Sequence, residues 1–317
     1  MMPCWSIAQD YQSLVDAAHA RFKDDQSGAN ADYIPVLAEV PSELFGVAIT
    51  LADGTTFVAG DVDYVFSIQS VAKPFTMALV MEDQGVDAVK QKIGVEPTGM
   101  PFNSIIAIEL HEKRSINPLV NAGAIAAVSM IEAKNERERW KTIIDGYSAF
   151  AGQKLDILKD VYKSESETNY RNRAIANLLY NYERLYSDPM EATTVYTKQG
   201  TVGVSARILA MMGATLANQG VNPKTGTRVI REEYVDEVLA VMLMAGFYDE
   251  VGKWAFRAGL PAKTGVGGGI VAVVPGDMAI AAFSPRVNEA GNSVRAMKAI
   301  QYISEQLKAS LFLDQGD

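Results

Sequence analysis

Cysteine and histidine are the scarcest chemistry-bearing residues of this 317-residue chain. Cys4 is the single cysteine, so no disulfide can form within the chain and no metal site with several cysteine ligands can exist. The two histidines are His19 and His111. A histidine-rich metal centre is therefore not expected, and we expect neither a metal nor an organic cofactor. Because histidine is so rare, a catalytic nucleophile is expected to use another base.

Positive charge is also in short supply, since 29 lysines and arginines stand against 38 aspartates and glutamates and the formal net charge is −9. Binding of nucleic acid or of an anionic membrane needs concentrated positive charge, so the composition favours a small-molecule ligand. The amino terminus carries no secretory signal pattern, and no apolar run is long enough to span a bilayer. We therefore expect a soluble cytoplasmic protein that binds neither nucleic acid nor membrane.

Strand patterns occur towards both ends of the chain, and helical patterns fill its middle. The β-prone runs form two pairs, each separated by turn residues that predict a hairpin, and they cover residues 44–50, 55–59, 269–274 and 278–283. The main helical patterns cover residues 6–24, 117–133, 169–185, 204–218, 231–245 and 292–311. Asn117-Pro118 is predicted to cap the second of these helices.

This order of elements predicts an α+β protein with one antiparallel sheet, built from the amino- and carboxy-terminal segments and flanked by helices. A helical lobe is inserted in the middle. We expect residues 1–317 to form a single catalytic domain, with a sheet-containing lobe at about residues 1–69 and 222–317 and a helical lobe at about 70–221. The functional site is expected between the sheet and the helices.

Ser70 and Lys73 form a Ser-x-x-Lys motif where a strand pattern at residues 64–66 gives way to a helix. Pro74 is tolerated only in the first turn of a helix, so the helix is expected to begin close to Ser70. The spacing of three places both side chains on one helix face, where a neutral amine can take the proton of the serine hydroxyl. Burial favours the neutral amine. A helix cap followed by a surface lysine would give the same spacing.

A second motif, Lys263-Thr264-Gly265, stands immediately before the second predicted hairpin. β-Lactamases and penicillin-binding proteins combine Ser-x-x-Lys with Lys-Thr-Gly in this order. Glycines 265 and 267–269 let the backbone approach a substrate closely, and the amides of Ser70 and Val266 can form an oxyanion hole. A tight turn entering a strand would explain the triplet alone. The order of all the elements together favours a β-lactamase-like fold.

The residues around these motifs resemble the serine-dependent glutaminase family more than the penicillin-recognising enzymes. The similarity runs from about residue 31 to residue 292. Its motifs are Asp32-Tyr33-Ile34-Pro35, Gln69 through Pro74, Gly94 through Gly99, Asn117 through Ile125, Ser164-Glu165 through Arg171-Asn172, Ala214 through Asn218, Gly246 through Asp249, and Gly259 through Val266. Since no ankyrin-like array is present, the chain resembles the compact bacterial type.

The resemblance implies an amidohydrolase that converts L-glutamine into L-glutamate and ammonia through an acyl-enzyme. It implies Ser70 as the nucleophile and Lys73 as the group that activates it. It further implies that Tyr33 and Tyr248 line the reaction centre and that Val266 contributes a backbone contact. The residues implied for holding the substrate are Gln69, Ser70, Asn121, Glu165, Asn172, Tyr196, Tyr248 and Val266, with Lys263 supporting the site from behind. The family also implies a homotetramer or a homodimer.

The chemistry of a free amino acid agrees with this set of residues. The substrate ammonium needs an acid, for which Glu165 is the natural partner, and the amides and phenols are suitable donors to the substrate carboxylate. Each of these side chains also has a structural explanation, as a capping amide, a packing tyrosine or a solvated acid.

Two other functions remain open from the sequence. A β-lactamase or a peptidase would use the same fold and the same Ser-x-x-Lys motif, although such enzymes work outside the cytoplasm and this chain has no secretory signal pattern. A non-catalytic amino-acid sensor would use Ser70 and Lys73 to bind its ligand without releasing ammonia.

Overall fold

The computed structural model describes residues 10–313. The α-helices are α1 (Tyr11–Phe22), α2 (Pro35–Ala38), α3 (Lys73–Gln84), α4 (Val86–Lys92), α5 (Ile105–Leu110), α6 (Asn121–Met130), α7 (Glu136–Ala151), α8 (Lys159–Thr168), α9 (Tyr170–Asn181), α10 (Pro189–Gly200), α11 (Ala206–Ala217), α12 (Val235–Ala245), α13 (Val251–Arg257) and α14 (Val294–Leu307). The strands are β1 (Ala29–Asn30), β2 (Gly46–Leu51), β3 (Thr56–Gly60), β4 (Phe66–Ser67), β5 (Gly203–Val204), β6 (Ala262–Thr264), β7 (Gly269–Val274), β8 (Met278–Phe283) and β9 (Arg286–Val287). The first predicted helix is α1, and the predicted helical residues 6–9 lie outside the described residues.

Strands from the two ends of the chain form one five-stranded antiparallel sheet, in the order β3-β2-β8-β7-β6. Both predicted hairpins are confirmed, because β2 pairs with β3 and β7 pairs with β8. Gly54 and Gly276 have φ angles of +92° and +77° in the two connecting turns, a backbone conformation that glycine adopts without steric cost. The pairing of β2 with β8 joins the hairpins into a single sheet.

Side chains alternate between the two faces of this sheet, as strand geometry requires. On β8, Ile280 and Ala282 face a hydrophobic cluster with α1 and α14, whereas Ala281 and Phe283 face the core that the middle helices share. Helix α11 packs on this second face, and a Cβ added to its Gly213 would lie 2.6 Å from the Cβ of Ala279. Residues 206–217 therefore lie against the sheet, whereas the prediction assigned them to the helical lobe.

The remaining middle helices pack on one another around α6, and all ten residues of α6 are buried. This helix begins at Asn121, later than the predicted start at Asn117-Pro118. The Asn117 side chain does accept hydrogen bonds from the backbone of Leu119 and Val120, but Val120 is extended, with ψ of 163°, and delays the helix. The predicted helix over 231–245 likewise begins as a 3-10 turn, Glu232–Tyr234.

No helix within residues 10–313 is long and apolar enough to cross a membrane.

Candidate active site

Ser70 lies in a 3-10 turn, Gln69–Ala72, that leads directly into α3. Pro74 occupies the first turn of α3, where its missing N–H leaves no helical hydrogen bond unmade. The prediction that a helical turn begins beside Ser70 is therefore confirmed. Gln69 has a φ of +48°, which is uncommon for a residue with a side chain. Backbone strain of this kind is concentrated at functional sites, where it fixes the direction of neighbouring groups.

Lys73 is buried one turn after Ser70, with 2% of its surface exposed. Its Nζ donates to Asn121 Oδ1 at 2.7 Å, and Asn121 Nδ2 donates to Asn172 Oδ1 at 2.9 Å. Burial lowers the pKa of the Lys73 amine to about 7, against the opposing charge of Glu165. A substantial fraction of this amine is therefore neutral near pH 7, as a general base must be.

Tyr248 lies beside Lys73, whose Nζ is 5.5 Å from the centroid of its ring, and it has 3% of its surface exposed and a φ of +54°. Burial raises the pKa of its phenol, and the nearby Ser70 side chain opposes that rise. Its buried hydroxyl makes no hydrogen bond of ordinary geometry with residues 10–313. Lys263 supports this tyrosine from behind, because its Nζ lies 3.9 Å from the ring centroid and donates to the carbonyl oxygens of Gly246 and Thr264.

The glycine-rich turn between β6 and β7 runs against the Ser70 turn. A Cβ added to Gly265 would lie 3.2 Å from Ser70 N and 3.1 Å from Ile68 O, and one added to Gly267 would lie 2.5 Å from Ser67 O. Glycine is needed at these positions because side chains would separate the two turns. Ser70 and Val266, one in each of these turns, line the same cavity.

Glu165 lies near the end of α8 and is 7% exposed. Burial raises the pKa of its carboxyl group to about 7, against the hydrogen bond from Gln69 and the charge of Lys73. Gln69 Nε2 donates to Glu165 Oε2 at 3.1 Å. A buried carboxylate that accepts one hydrogen bond can still accept others, so Glu165 has room for a cationic partner.

A cavity of about 260 Å³ joins these groups. Eight of the predicted site residues line it: Tyr33, Gln69, Ser70, Asn121, Glu165, Asn172, Tyr196 and Val266. Lys73, Tyr248 and Lys263 lie buried behind its wall. A larger, more open cavity of about 800 Å³ adjoins it and shares Tyr33, Phe102 and Val266, but Ser70 does not line that space. The smaller cavity is therefore the candidate active site.

Tyr33 lines the cavity from the loop after β1, and 53% of its surface is exposed. The pKa of its phenol is nevertheless raised, because protein atoms desolvate the hydroxyl and because Glu165 and Tyr248 lie near it. One side of the ring therefore faces solvent while the hydroxyl faces the site.

Six further residues line the cavity and were not singled out from the sequence. They are Ile34, Phe102, Asn103, Thr168, Asn169 and Arg171. Arg171 and Asn169 stand within the Ser164–Asn172 motif, and this adjacency was the available signal. Phe102 and Asn103 lie in a loop without a motif of their own, and Arg171 Nε holds that loop by donating to Asn103 O at 2.9 Å.

Comparison with known proteins gives a consistent result along the whole chain. The sequence model of the family described as Glutaminase matches residues 28–312. A glutaminase of Colwellia psychrerythraea is 52% identical over 301 residues, which are 95% of this chain and 97% of that protein. A glutaminase of Brucella canis is 53% identical over 311 residues, or 98% of each chain.

Solved structures agree with the sequence comparison. A structure described as probable glutaminase ybaS is 50% identical, with a TM-score of 0.94 over 96% of this chain and 98% of that one. A probable glutaminase from Bacillus subtilis, complexed with 6-diazo-5-oxo-L-norleucine, is 28% identical, with a TM-score of 0.87 over 96% and 98% of the two chains. These glutaminases have the β-lactamase-like fold, so the predicted fold class is confirmed. Family model, relatives and structures together show that this chain belongs to the glutaminase family of amidohydrolases.

Proposed function

We propose that this protein hydrolyses the side-chain amide of L-glutamine through an acyl-enzyme on Ser70. The observation that carries the proposal is the buried Lys73 amine, whose pKa is lowered to about 7, one helical turn from a serine that lines the cavity. A lysine that is partly neutral near pH 7 can act as the base that histidine provides in other serine hydrolases. Family membership supports glutamine as the substrate.

The reaction begins when Ser70 Oγ attacks the side-chain carbonyl carbon and its proton passes to Lys73 Nζ. The backbone amides of Ser70 and Val266 stabilise the oxyanion that forms. The C–N bond then breaks, the leaving nitrogen takes a proton, and ammonia departs from a γ-glutamyl ester. Water attacks this ester in the second half of the reaction, and Ser70 regains its proton. Tyr248 and Tyr33 are the two candidates for carrying protons between these groups.

The substrate's α-carbon end is assigned to the side of the cavity away from Tyr248. Glu165 pairs with the α-ammonium there, and its ionised form is favoured once that cation is bound. We assign Asn172, Asn121 and Tyr196 as donors to the α-carboxylate, because all three line the cavity. Burial raises the pKa of Tyr196, so its phenol keeps the proton it donates. This arrangement accounts for Glu165, the one carboxylate among the described residues that line the cavity.

A covalent label tests the proposal. The compound 6-diazo-5-oxo-L-norleucine has a ketone carbon where glutamine has its side-chain amide carbonyl carbon. It is the ligand in the structure of the Bacillus subtilis relative. We expect the wild type to release ammonia from glutamine and to gain one adduct on Ser70, found by mass spectrometry of tryptic peptides. Ser70→Ala should lose both.

Other outcomes identify the alternative functions. An adduct on another residue, or near wild-type ammonia release by Ser70→Ala, would rule out the Ser70 mechanism. Stoichiometric glutamine binding without ammonia release by the wild type would instead indicate an amino-acid sensor.

A further inference from the structure

Glu250 makes a half-buried hydrogen-bond junction that the proposed mechanism does not use. Its Oε2 accepts from Asn288 Nδ2 at 2.8 Å and from Asn292 Nδ2 at 2.6 Å. Its Oε1 accepts from Lys253 Nζ at 2.9 Å, and the Lys253 side chain is 80% exposed. Burial tends to raise the pKa of Glu250, but the hydrogen bonds from Lys253, Asn288 and Asn292 outweigh it and lower the pKa. Glu250 is therefore a carboxylate at neutral pH.

The two asparagines that Glu250 holds delimit a closed turn. Asn288 Oδ1 accepts from the backbone amides of Ala290 at 3.1 Å and Asn292 at 3.0 Å, and the backbones of Asn288 and Asn292 bond to each other. This turn, residues 288–292, is therefore closed by hydrogen bonds between its own ends, while Asn292 Oδ1 has no hydrogen-bond partner among residues 10–313. Asn292 is fully buried. The side-chain NH2 groups of Asn288 and Asn292 both donate to Glu250, so Glu250 holds the two ends of the turn together.

The 288–292 turn packs against the reaction centre. A Cβ added to its Gly291 would lie 3.1 Å from Val266 Cγ1 and 3.8 Å from Phe102 Cε1, so the turn supports Val266 from behind. The Phe102 ring lies 5.2 Å from the Tyr248 ring, centroid to centroid. The turn also follows β9, which pairs with β1 just before the Tyr33 loop. One small turn thus borders the elements that carry Val266, Phe102 and Tyr33.

Glu250 itself belongs to the element that carries Tyr248. The two residues are the ends of the 3-10 turn Tyr248–Glu250, and Glu250 N donates to Phe247 O at 2.9 Å. The positive φ of Tyr248 is a strained conformation that persists only where neighbouring contacts hold it. The bonds from Glu250 to the 288–292 turn provide such contacts.

We propose that Glu250 is a positioning residue, which locks the turn bearing Tyr248 to the turn behind Val266 and thereby sets the distance between the phenol and the oxyanion-stabilising amide. This inference rests on the proposed function for the roles of Tyr248 and Val266. Because the α-amino-acid end of the substrate is held by other elements, loss of the junction should misplace the reacting groups without weakening substrate binding. A misplacement of about 1 Å costs on the order of a hundredfold in rate.

Steady-state glutaminase kinetics with matched variants test this proposal. Glu250→Ala is expected to lower kcat by about tenfold to a hundredfold with KM within about twofold of wild type. Glu250→Gln should keep most of kcat, because its amide oxygen can still accept from both asparagines. Lys253→Ala removes only the exposed partner of Glu250 and serves as the control with kcat unchanged.

A second pair of variants keeps the test decisive if Glu250→Ala folds poorly. Asn288→Asp retains the oxygen that accepts from the Ala290 and Asn292 amides but places a second carboxylate against Glu250, so a similar fall in kcat is expected. Combining it with Glu250→Gln removes the second carboxylate and should regain only part of kcat, because the new amide cannot both donate to residue 288 and accept from Asn292 Nδ2 at the position of Oε2. Thermal melting of every variant separates lost folding from lost positioning.

The proposal is overturned if Glu250→Ala keeps kcat within about twofold, if its loss appears in KM alone, or if Glu250→Gln is as impaired as Glu250→Ala. It is also overturned if Asn288→Asp folds and keeps full activity. Failure of the proposed function looks different, since it appears as retained activity in Ser70→Ala in the same assay. The comparison of Glu250→Ala with Glu250→Gln does not depend on which residue is the nucleophile.

Discussion

Replacement of Glu165 by glutamine removes one negative charge from the candidate substrate site and almost nothing else. The side chains have the same shape, and the oxygen of the new amide can still accept the 3.1 Å hydrogen bond from Gln69 Nε2. The site of the change is 7% exposed, so water cannot replace the lost charge at the substrate ammonium. Leaving a desolvated charge without its partner costs about 2 to 5 kcal/mol. We therefore expect kcat/KM for glutamine to fall by about 30-fold to several thousand-fold.

The assay compares two substrates on two enzymes. Glutaric acid monoamide has the reacting amide and the carboxylate of glutamine but lacks the α-amino group. When the wild type binds this analogue, Glu165 already has no ammonium group to pair with. Glu165→Gln should therefore change the kcat/KM for the analogue far less than the kcat/KM for glutamine. The four values form a cycle that isolates the contact between carboxylate and ammonium. Equal losses on both substrates would refute the assignment and give Glu165 a structural role.

Three further perturbations have defined outcomes. Lys73→Ala should reduce kcat nearly as much as Ser70→Ala. Because the two residues act as a unit, the double variant should be no more impaired than the more impaired single variant. Additive losses of kcat in a glutamate-release assay would contradict this. Burial lowers the pKa of Lys73 from 10.5 to about 7. Between pH 7 and pH 10.5 the folded protein therefore binds fewer protons than the unfolded chain. The free energy of unfolding should rise with pH in this range, by at most about 1.4 kcal/mol per pH unit. Lys73→Met should lack this rise in the free energy of unfolding. If denaturant melting gives the wild type and Lys73→Met the same pH dependence of that free energy from pH 7 to 10, Lys73 does not have a buried amine with a lowered pKa. Gly265→Ala places a Cβ 3.2 Å from Ser70 N and should lower both Tm and, by about tenfold, kcat at a temperature where the variant is folded. Unaltered kcat would show that the oxyanion-stabilising amides lie elsewhere.

Local sequence patterns were sufficient for the sheet and for most helices. The hairpins around Gly54 and Gly276 follow from turn chemistry between β-prone runs, and the motif order predicted how both ends meet in one sheet. Helix ends were less predictable, since Val120 delays α6 although Asn117 forms the expected cap bonds. The position of α11 on the sheet depends on Gly213, whose missing side chain permits contact with Ala279, and a single sequence does not reveal that partner.

The candidate site was predictable where a motif named its residues. Ser70, Glu165 and Val266 line one cavity although they come from segments far apart in the chain, and the roles that the resemblance implies for them stay predictions. Phe102 was missed because its place at the cavity depends on a loop held by a tertiary hydrogen bond from Arg171, not on a local pattern.

The pairing of β2 with β8 has a consequence for how the chain acquires its structure during synthesis. The two strands lie about 230 residues apart in sequence, so closing the sheet carries a large entropic cost and folding is expected to be slow. On the ribosome, the amino-terminal hairpin emerges early with an unpaired edge along Val47 and Ile49, and its partner is among the last strands made. Until then that edge is available to other chains. Protection of the nascent hairpin is therefore expected to raise the yield of folded protein.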